Sequence, residues 1–419
     1  MTFRRLLLLA LSVAALCFGQ DGFYLKTGDR VVFYGDSITD QRLYTTFTET
    51  YVLTRFPELR VAFIHSGWGG DRVTGGGGGP VDVRLQRDVL AYRPTVMTIM
   101  LGMNDGGYRA FDTKLFDTFS TGYQHIVDTV RSTLPDIRIT AIEPSPFDDV
   151  TRPPKFEGGY NAVLLRYSEF IKQLAQRDKL TVADLNTPVV LMLAKATQSD
   201  PELAQKILPD RVHPGPAGHL IMAEALLKAW NAPPIVTSVE IDAQGSGKIA
   251  AHANTEISDL KQGGTLSWTQ LDRALPMPVD MKDATVALAI HSSDFMDALD
   301  KETLKVANLP GAKYSLKIDG MDAGAFTKEE WARGINLATL PTPMMQQAAS
   351  VHVLTQKRSN VHNARWRMIQ VPLQDENILS TDAAIAALDD VDIDLMIEQR
   401  AAAQPVPRHY QLIAQPAAH

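Results

Sequence analysis

Ser37 is the residue of this chain best placed to act as a nucleophile. It sits in Gly35-Asp36-Ser37, just after the apolar run Val31-Val32-Phe33-Tyr34, where a strand would end and a turn would project its hydroxyl. A serine hydroxyl attacks poorly at its free pKa and needs a base within hydrogen-bond reach. Asp210-Arg211-Val212-His213 can supply that base. A carboxylate three residues before an imidazole can orient one ring nitrogen and leave the other for the serine. An acyl ester attacked in this way develops charge on its carbonyl oxygen, and that charge needs donors fixed in advance. Candidate donors are the N–H of Gly70 in Gly67-Trp68-Gly69-Gly70-Asp71, the side-chain amide of Asn104 in Gly102-Met103-Asn104-Asp105, and the N–H of Ser37. Gly69 competes with Gly70 for the same role. The chemistry these residues imply is ester cleavage through a covalent serine intermediate.

Singly, each block has an ordinary structural explanation. Gly-Asp-Ser reads as a helix-starting turn with a capping side chain. Asp-x-x-His reads as a solvated turn, and the glycines and Asn-Asp as turn residues. The four blocks together, in this order, point to a site. Gly75 to Gly79 lacks the Lys-Ser/Thr ending of a phosphate-binding loop and is read as a flexible loop. None of the 10 histidines falls in a His-Glu-x-x-His or comparable ligand spacing, so no metal and no other cofactor is implied.

Alternating apolar runs and amphipathic stretches must position these blocks. From Lys26 to Trp230 strand-like runs (Val31–Tyr34, Val61–Ile64, Val96–Leu101, Ile137–Ile142, Leu180–Leu185) alternate with helical spacings such as Phe116, Phe119, Tyr123, Ile126 and Val130. This predicts an α/β fold: a doubly wound parallel sheet of about five strands in flavodoxin-like order, over residues 25–232. In such folds the loops at the carboxyl ends of the strands gather ligands, and the blocks with Ser37, Gly70 and Asn104 follow the first three strands. Asn231-Ala232-Pro233-Pro234 marks a boundary. Beyond it a small β-rich module is expected over 235–326, with Val286–Ile290 among its strands and Asp319-Gly320 a turn. A helical C-terminal segment over 327–419, opened by a Thr327/Glu330 capping box, completes the expected α+β addition, and its tail from Ala401 reads as loosely ordered.

A chain of 419 residues with 45% hydrophobic and 21% charged residues has the composition of a globular protein with more than one core. A net charge of −7 without a basic run argues against nucleic acid as a partner. Arg4-Arg5, the apolar run Leu6–Leu16 and the small residues up to Gly19 and Gln20 have the layout of a cleaved signal peptide over residues 1–20. A secreted or periplasmic protein with no stable membrane insertion is therefore expected. Cys17, the 1 cysteine, would leave with the signal, so no disulfide is expected in the mature chain.

In order and spacing the four blocks resemble those of the SGNH hydrolases, also called GDSL esterases and lipases, over about residues 29–230. The resemblance implies Ser37 as nucleophile, His213 as base, Asp210 as its partner, and Ser37, Gly70 and Asn104 as oxyanion donors. Ile38 replaces the usual Leu after the serine, and His65-Ser66 stand where an asparagine often precedes the glycine. No Gly-x-Ser-x-Gly occurs, which argues against the α/β-hydrolase fold. The family includes carbohydrate acetylesterases, lipases, thioesterases and arylesterases. Export, and an aromatic rim formed by Trp68, Tyr108 and Phe147, favour O-acetyl groups on a glycan as the short acyl ester cleaved, with a small-molecule or glycan ester as the partner. Rival readings are an acyltransferase on the same site, a broad lipase or arylesterase, and a catalytically silent carbohydrate-binding protein.

Overall fold

Five short apolar runs build the central sheet of the N-terminal half: β1 (Arg30–Gly35), β2 (Ala62–Gly67), β3 (Val96–Met100), β4 (Arg138–Ile142) and β5 (Thr181–Ala183). The computed structural model describes residues 22–245, 247–376 and 378–416; the expected signal peptide at residues 1–20, with Cys17, lies outside them. All strand pairs in this sheet are parallel, in the order β2-β1-β3-β4-β5, the expected flavodoxin-like arrangement. Helices cover both faces, which is why β3 is buried along its whole length and carries no polar/apolar alternation. Helix Thr113–Thr133 buries one stripe, Phe119, Tyr123, Ile126, Val127 and Val130, and Asp112 caps it by accepting the N–H groups of Lys114 and Leu115.

The C-terminal half has its own core around Trp268, Trp331, Tyr410 and Leu412. Its strands are β6 (Ile235–Asp242), β7 (Lys248–Ala253), β8 (Thr255–Gln262), β9 (Thr265–Asp272), β10 (Lys301–Ala307), β11 (Lys313–Ile318), β12 (Met321–Thr327), β13 (Ile335–Asn336) and β14 (Arg408–Ala414). One sheet runs β8-β9-β14-β11-β12 and the other β13-β10-β6-β7. The Thr327/Glu330 capping box and the Asp319-Gly320 turn, both at positive φ, are present.

Four expectations are corrected. Val286–Ile290 lies in a helix, Ala284–His291, because Asp283 accepts the N–H groups of Thr285 and Val286; the helix packs on the first core with Met277 and Phe295. The tail is ordered over residues 408–414: β14 pairs with both β9 and β11, and its alternating Tyr410 and Leu412 are fully buried. A division at residue 326 therefore does not follow the sheets, since the chain returns to complete one of them. Finally, Gly75–Gly79 is a tight hairpin in which Gly75-Gly76 pairs with Gly79-Pro80. A Cβ on Gly78 would lie 2.6 Å from the Trp68 ring and 2.7 Å from Arg84, so glycine is required for that contact.

Among the described residues no helix is long and apolar enough to cross a membrane. The two halves meet along helices Leu43–Arg55 and Pro343–Asn363. Glu49, buried in the first, accepts from Arg358 (2.9 Å), Gln399 (3.1 Å) and His65 (3.3 Å). Burial raises its carboxyl, but Arg358, His65 and Gln399 outweigh that and hold it below its usual range. The His65 ring meets Thr45 and Glu49 in the core, and burial lowers it below its usual range despite Glu49.

A second buried acidic group lies at the junction. Arg55 approaches Asp300 at 3.5 Å, and Asp300 and Asp272 lie close enough to Glu302 to repel its charge. Burial pushes Asp300 up to about 7 and Asp272 up to about 6, and pushes Glu302 well above its ordinary value, further raised by the two aspartates. Among the described residues neither oxygen of Glu302 has a hydrogen-bond partner. The folded state thus holds these protons more tightly than the unfolded chain, whose carboxyls titrate near 4. The resulting stabilisation is complete below about pH 4 and is lost as pH rises through 6 to 7. Glu302→Gln should raise Tm at pH 8, by about 2–4 °C for each kcal/mol relieved, with the gain shrinking towards pH 5. A thermal-melt series showing the same Tm difference at every pH contradicts this account.

Candidate active site

Ser37 opens a helical turn, Ser37–Asp40, at the carboxyl end of β1. Asp36 caps the turn by accepting the Ile38 N–H at 3.0 Å, and burial pushes its carboxyl up to about 7. The Ser37 Oγ lies 2.8 Å from the Nε2 of His213, a residue 176 positions later. On the other side of the ring, His213 Nδ1 lies 2.7 Å from Asp210 Oδ2. The second oxygen of Asp210 accepts the N–H groups of Val212 (2.9 Å) and His213 (2.8 Å). Burial raises the Asp210 carboxyl, but these bonds and the His213 ring outweigh it and keep it below its usual range. An ionised Asp210 receives Nδ1–H, so Nε2 is left to accept the Ser37 hydroxyl. The turn carrying the pair bends at Arg211, whose φ is 75°, and whose guanidinium donates to the carbonyls of Asp148 (3.2 Å) and Pro153 (3.0 Å).

Two residues behind the imidazole escaped the sequence reading. His219 accepts the Tyr44 N–H at Nδ1 (3.2 Å), so its Nε2 carries the hydrogen and donates to Gln41 Oε1 (3.0 Å). Burial, and secondarily His213, lower His219 to about 3, which keeps it neutral in this role. Gln41 in turn donates to the carbonyl of Pro214, next to His213, at 3.3 Å. His219 falls on the buried stripe of helix Pro216–Ala229, and no spacing in the sequence pairs it with Gln41.

The candidate donors converge on the same edge. Loop Trp68–Val73 is stitched to loop Gly102–Asp105 by two bonds: Asn104 Nδ2 to Asp71 O (3.0 Å) and Val73 N–H to Asp105 Oδ1 (3.0 Å). Asn104 Oδ1 accepts the Tyr108 hydroxyl at 2.9 Å, which turns the amide so that its second N–H is unspent. Gly69 and Gly70 differ in kind. The Gly69 N–H is committed to Asp40 Oδ2 at 3.1 Å, whereas among the described residues no acceptor takes the Gly70 N–H. Gly70 is exposed with φ 77°, so it is Gly70 that can offer an N–H to a ligand. Such an arrangement can move a proton from hydroxyl to imidazole and present N–H groups to a developing oxyanion.

A cleft of about 760 Å³ opens over Ser37 and His213. Trp68 lines it, with the Arg367 guanidinium stacked on its ring. Tyr108 is exposed but its hydroxyl is engaged with Asn104. Phe147 departs from the expectation: it is 4% exposed, packed on Tyr108 and Tyr160, and supports the rim from beneath. The opposite wall comes from the C-terminal half, with Asn363, Arg367, Met368, Val371 and Pro372, which the sequence did not connect to the site. Among the described residues no group of three or more His, Cys, Asp or Glu side chains is arranged to hold a metal ion.

Residues 33–221 match the family model of GDSL-like lipases/acylhydrolases, and no family model matches the C-terminal half. An acetylxylan esterase from Geobacillus stearothermophilus is 26% identical over 227 residues, which span 49% of this chain and 94% of that enzyme. The solved structure of a gut microbial diltiazem-metabolizing enzyme resembles this one with a TM-score of 0.79 at 26% identity, over 93% of this chain and 98% of the other. The C-terminal half therefore has a structural counterpart in a known enzyme.

The contrast between the two glycines can be tested on an aryl acetate. In Gly70→Ala nothing blocks the new Cβ, yet a left-handed alanine costs about 1–2 kcal/mol and turns the N–H away. The expected loss is about 10- to 1,000-fold in kcat with little change in KM, while Gly69→Ala stays near wild type. The reverse order would assign the donor to Gly69.

Proposed function

We propose that residues 33–221, which match the family model of GDSL-like lipases/acylhydrolases, form a carboxylic ester hydrolase domain, and that the protein is an exported serine esterase that removes short acyl groups, foremost O-acetyl groups, from a carbohydrate. The observation carrying this reading is the continuous chain Ser37 Oγ, His213, Asp210, with links of 2.8 and 2.7 Å. In this reading Ser37 Oγ attacks the acyl carbonyl as His213 Nε2 takes its proton. The oxyanion is held by the N–H groups of Ser37 and Gly70 and by the free amide N–H of Asn104. Collapse expels the alcohol, protonated by His213, and leaves the acyl group on Ser37. Water then attacks with its proton passing to His213, and the acid departs. Asp210, kept ionised by its hydrogen bonds, stabilises the imidazolium in both halves.

Two features support the substrate class. The chain is 26% identical to an acetylxylan esterase over 94% of that enzyme's length. The basic start and apolar run before Gly19 favour export, where glycans are met.

Acetate release from acetylated xylan and from a chain-length series of aryl esters tests the proposal. Wild type should favour acetyl over longer acyl chains, and Ser37→Ala should abolish both turnover and labelling by a serine-directed phosphonate. Asn104→Ala should lower kcat about 100- to 1,000-fold with KM little changed, since its bond forms chiefly to the oxyanion. Turnover persisting in Ser37→Ala, or acyl transfer to sugar acceptors in place of free acid, would sink the hydrolytic reading.

A further inference from the structure

Gly70 itself has little means of holding still. Gly70 lacks a side chain, is exposed, and has no heavy atom within 4 Å of where a Cβ would stand. A glycine there has more freedom to lose than any other residue. Preorganised donors are effective only if they do not reorganise during reaction. After Gly70 the chain is pinned at Asp71, which Arg84 and Asn104 hold; before it, order must come from Gly67, Trp68 and Gly69.

All three of those neighbours are gripped through one side chain of the C-terminal half. Helix Pro343–Asn363 runs on into a wide π-turn, Ala364–Gln370, that forms part of the cleft wall. This wider winding, frequent at functional sites, brings the consecutive residues Trp366 and Arg367 to the same indole. The Arg367 guanidinium lies 3.5 Å from the centre of the Trp68 ring. Its Nη1 is 3.4 Å from the Gly67 carbonyl and 3.2 Å from Asp40 Oδ1. The other oxygen of Asp40 accepts the Gly69 N–H at 3.1 Å. Trp366 meets Trp68 edge-on at 5.6 Å and anchors the turn by donating to Asp88 Oδ1 at 2.6 Å. A planar guanidinium can stack and donate at once, which a lysine cannot reproduce. Cation–π contacts contribute about 0.5–2 kcal/mol depending on exposure, enough to bias a glycine loop between alternative states.

We infer that Arg367 is a positioning residue for the oxyanion donors, acting through Asp40 and Trp68 on the Gly69-Gly70 backbone, so that the hydrolase domain is catalytically complete only with the π-turn of the C-terminal half in place. The inference rests on the acyl-transfer reading of Ser37 and Gly70. It assigns to the second half of the chain a part in the reaction itself, besides any contact with substrate.

The test is a double-mutant cycle in the full chain, with kcat and KM measured on 4-nitrophenyl acetate below the melting temperature of every variant. Arg367→Ala and Asp40→Ala should each lower kcat about 10- to 100-fold, short of the loss of a whole donor, with KM changed less than about threefold. The double variant should be no slower than the worse single one, because both changes release the same loop. Arg367→Lys, which retains the charge without the flat stacking fork, should recover part of kcat and guards against a variant that fails to fold. Wild-type kcat in both Arg367 variants, losses that appear only in KM, or losses that simply multiply in the double variant would each overturn the inference. Ser37→Ala measured alongside separates the two failures. If it is inactive while the Arg367 variants are unaffected, only the positioning role falls; if it remains active, the acyl-transfer reading falls first.

Discussion

The parallel sheet fixes where the Ser37 site can form. Pairing sets Gly35 opposite both Gly67 and Met100, so β1, β2 and β3 end level with one another. The segments after them, Ser37–Asp40, Trp68–Gly70 and Gly102–Asp105, therefore start from one line and curl over one edge. A shift of one residue in either pairing would turn a strand's side chains to the opposite face. Helices bury both faces of the sheet, so no such shift is tolerated. His213 reaches the same edge because helix Pro216–Ala229 packs on the sheet with most of its surface buried, and the turn before it has nowhere else to lie.

Around that edge the chain accepts buried charge, and the pattern of pairing shows why. Arg84 is fully buried; it donates to Asp71 and Ser66 O, each at 2.8 Å, and to Asp88. Burial lowers its guanidinium, but Tyr34, Asp71 and Asp88 more than offset the effect and hold it charged. Asp71 belongs to the glycine loop, Asp88 ends helix Val81–Asp88, and Asp88 also receives Trp366 from the far half of the chain. Removing one member of such a group leaves a buried charge unmatched, typically at about 3–5 kcal/mol. Loop, hairpin, helix and π-turn are thereby made to stand or fall together. Glu49 with Arg358 does the same further along the junction. The junction between the halves is thus a set of specific ionic and hydrogen-bonded contacts that carries geometry from the C-terminal helices to the cleft.

The sheet, its order and the Ser37, Asp210, His213 and Asn104 positions were legible because each rests on a local rule. Apolar runs of strand length alternate with helical periodicity, and short polar blocks follow the strand ends. Local rules also explain the misreadings. Val286–Ile290 is an apolar run whose period fits either strand or helix, and the cap at Asp283 decides it. The alternation of Tyr410 and Leu412 was hidden among Ala and Pro, and only the gap between β9 and β11 makes it a strand. Phe147 looked like a rim residue because it follows a strand, yet Tyr108 and Tyr160 cover it.

From the sequence alone one can read the residues proposed as nucleophile and base and the frame that holds them, since side-chain type, spacing and hydrophobic period are properties of neighbouring residues. Only the tertiary structure decided which glycine has a free N–H, what turns the Asn104 amide, and that Arg367 and Trp366 reach the loop of Trp68. The last depends on contacts between residues 300 positions apart, Arg367 with Gly67, and the first two on how side chains of separate turns meet, Asp40 with Gly69 and Tyr108 with Asn104. No periodicity records such contacts, because they arise from how finished elements pack against one another.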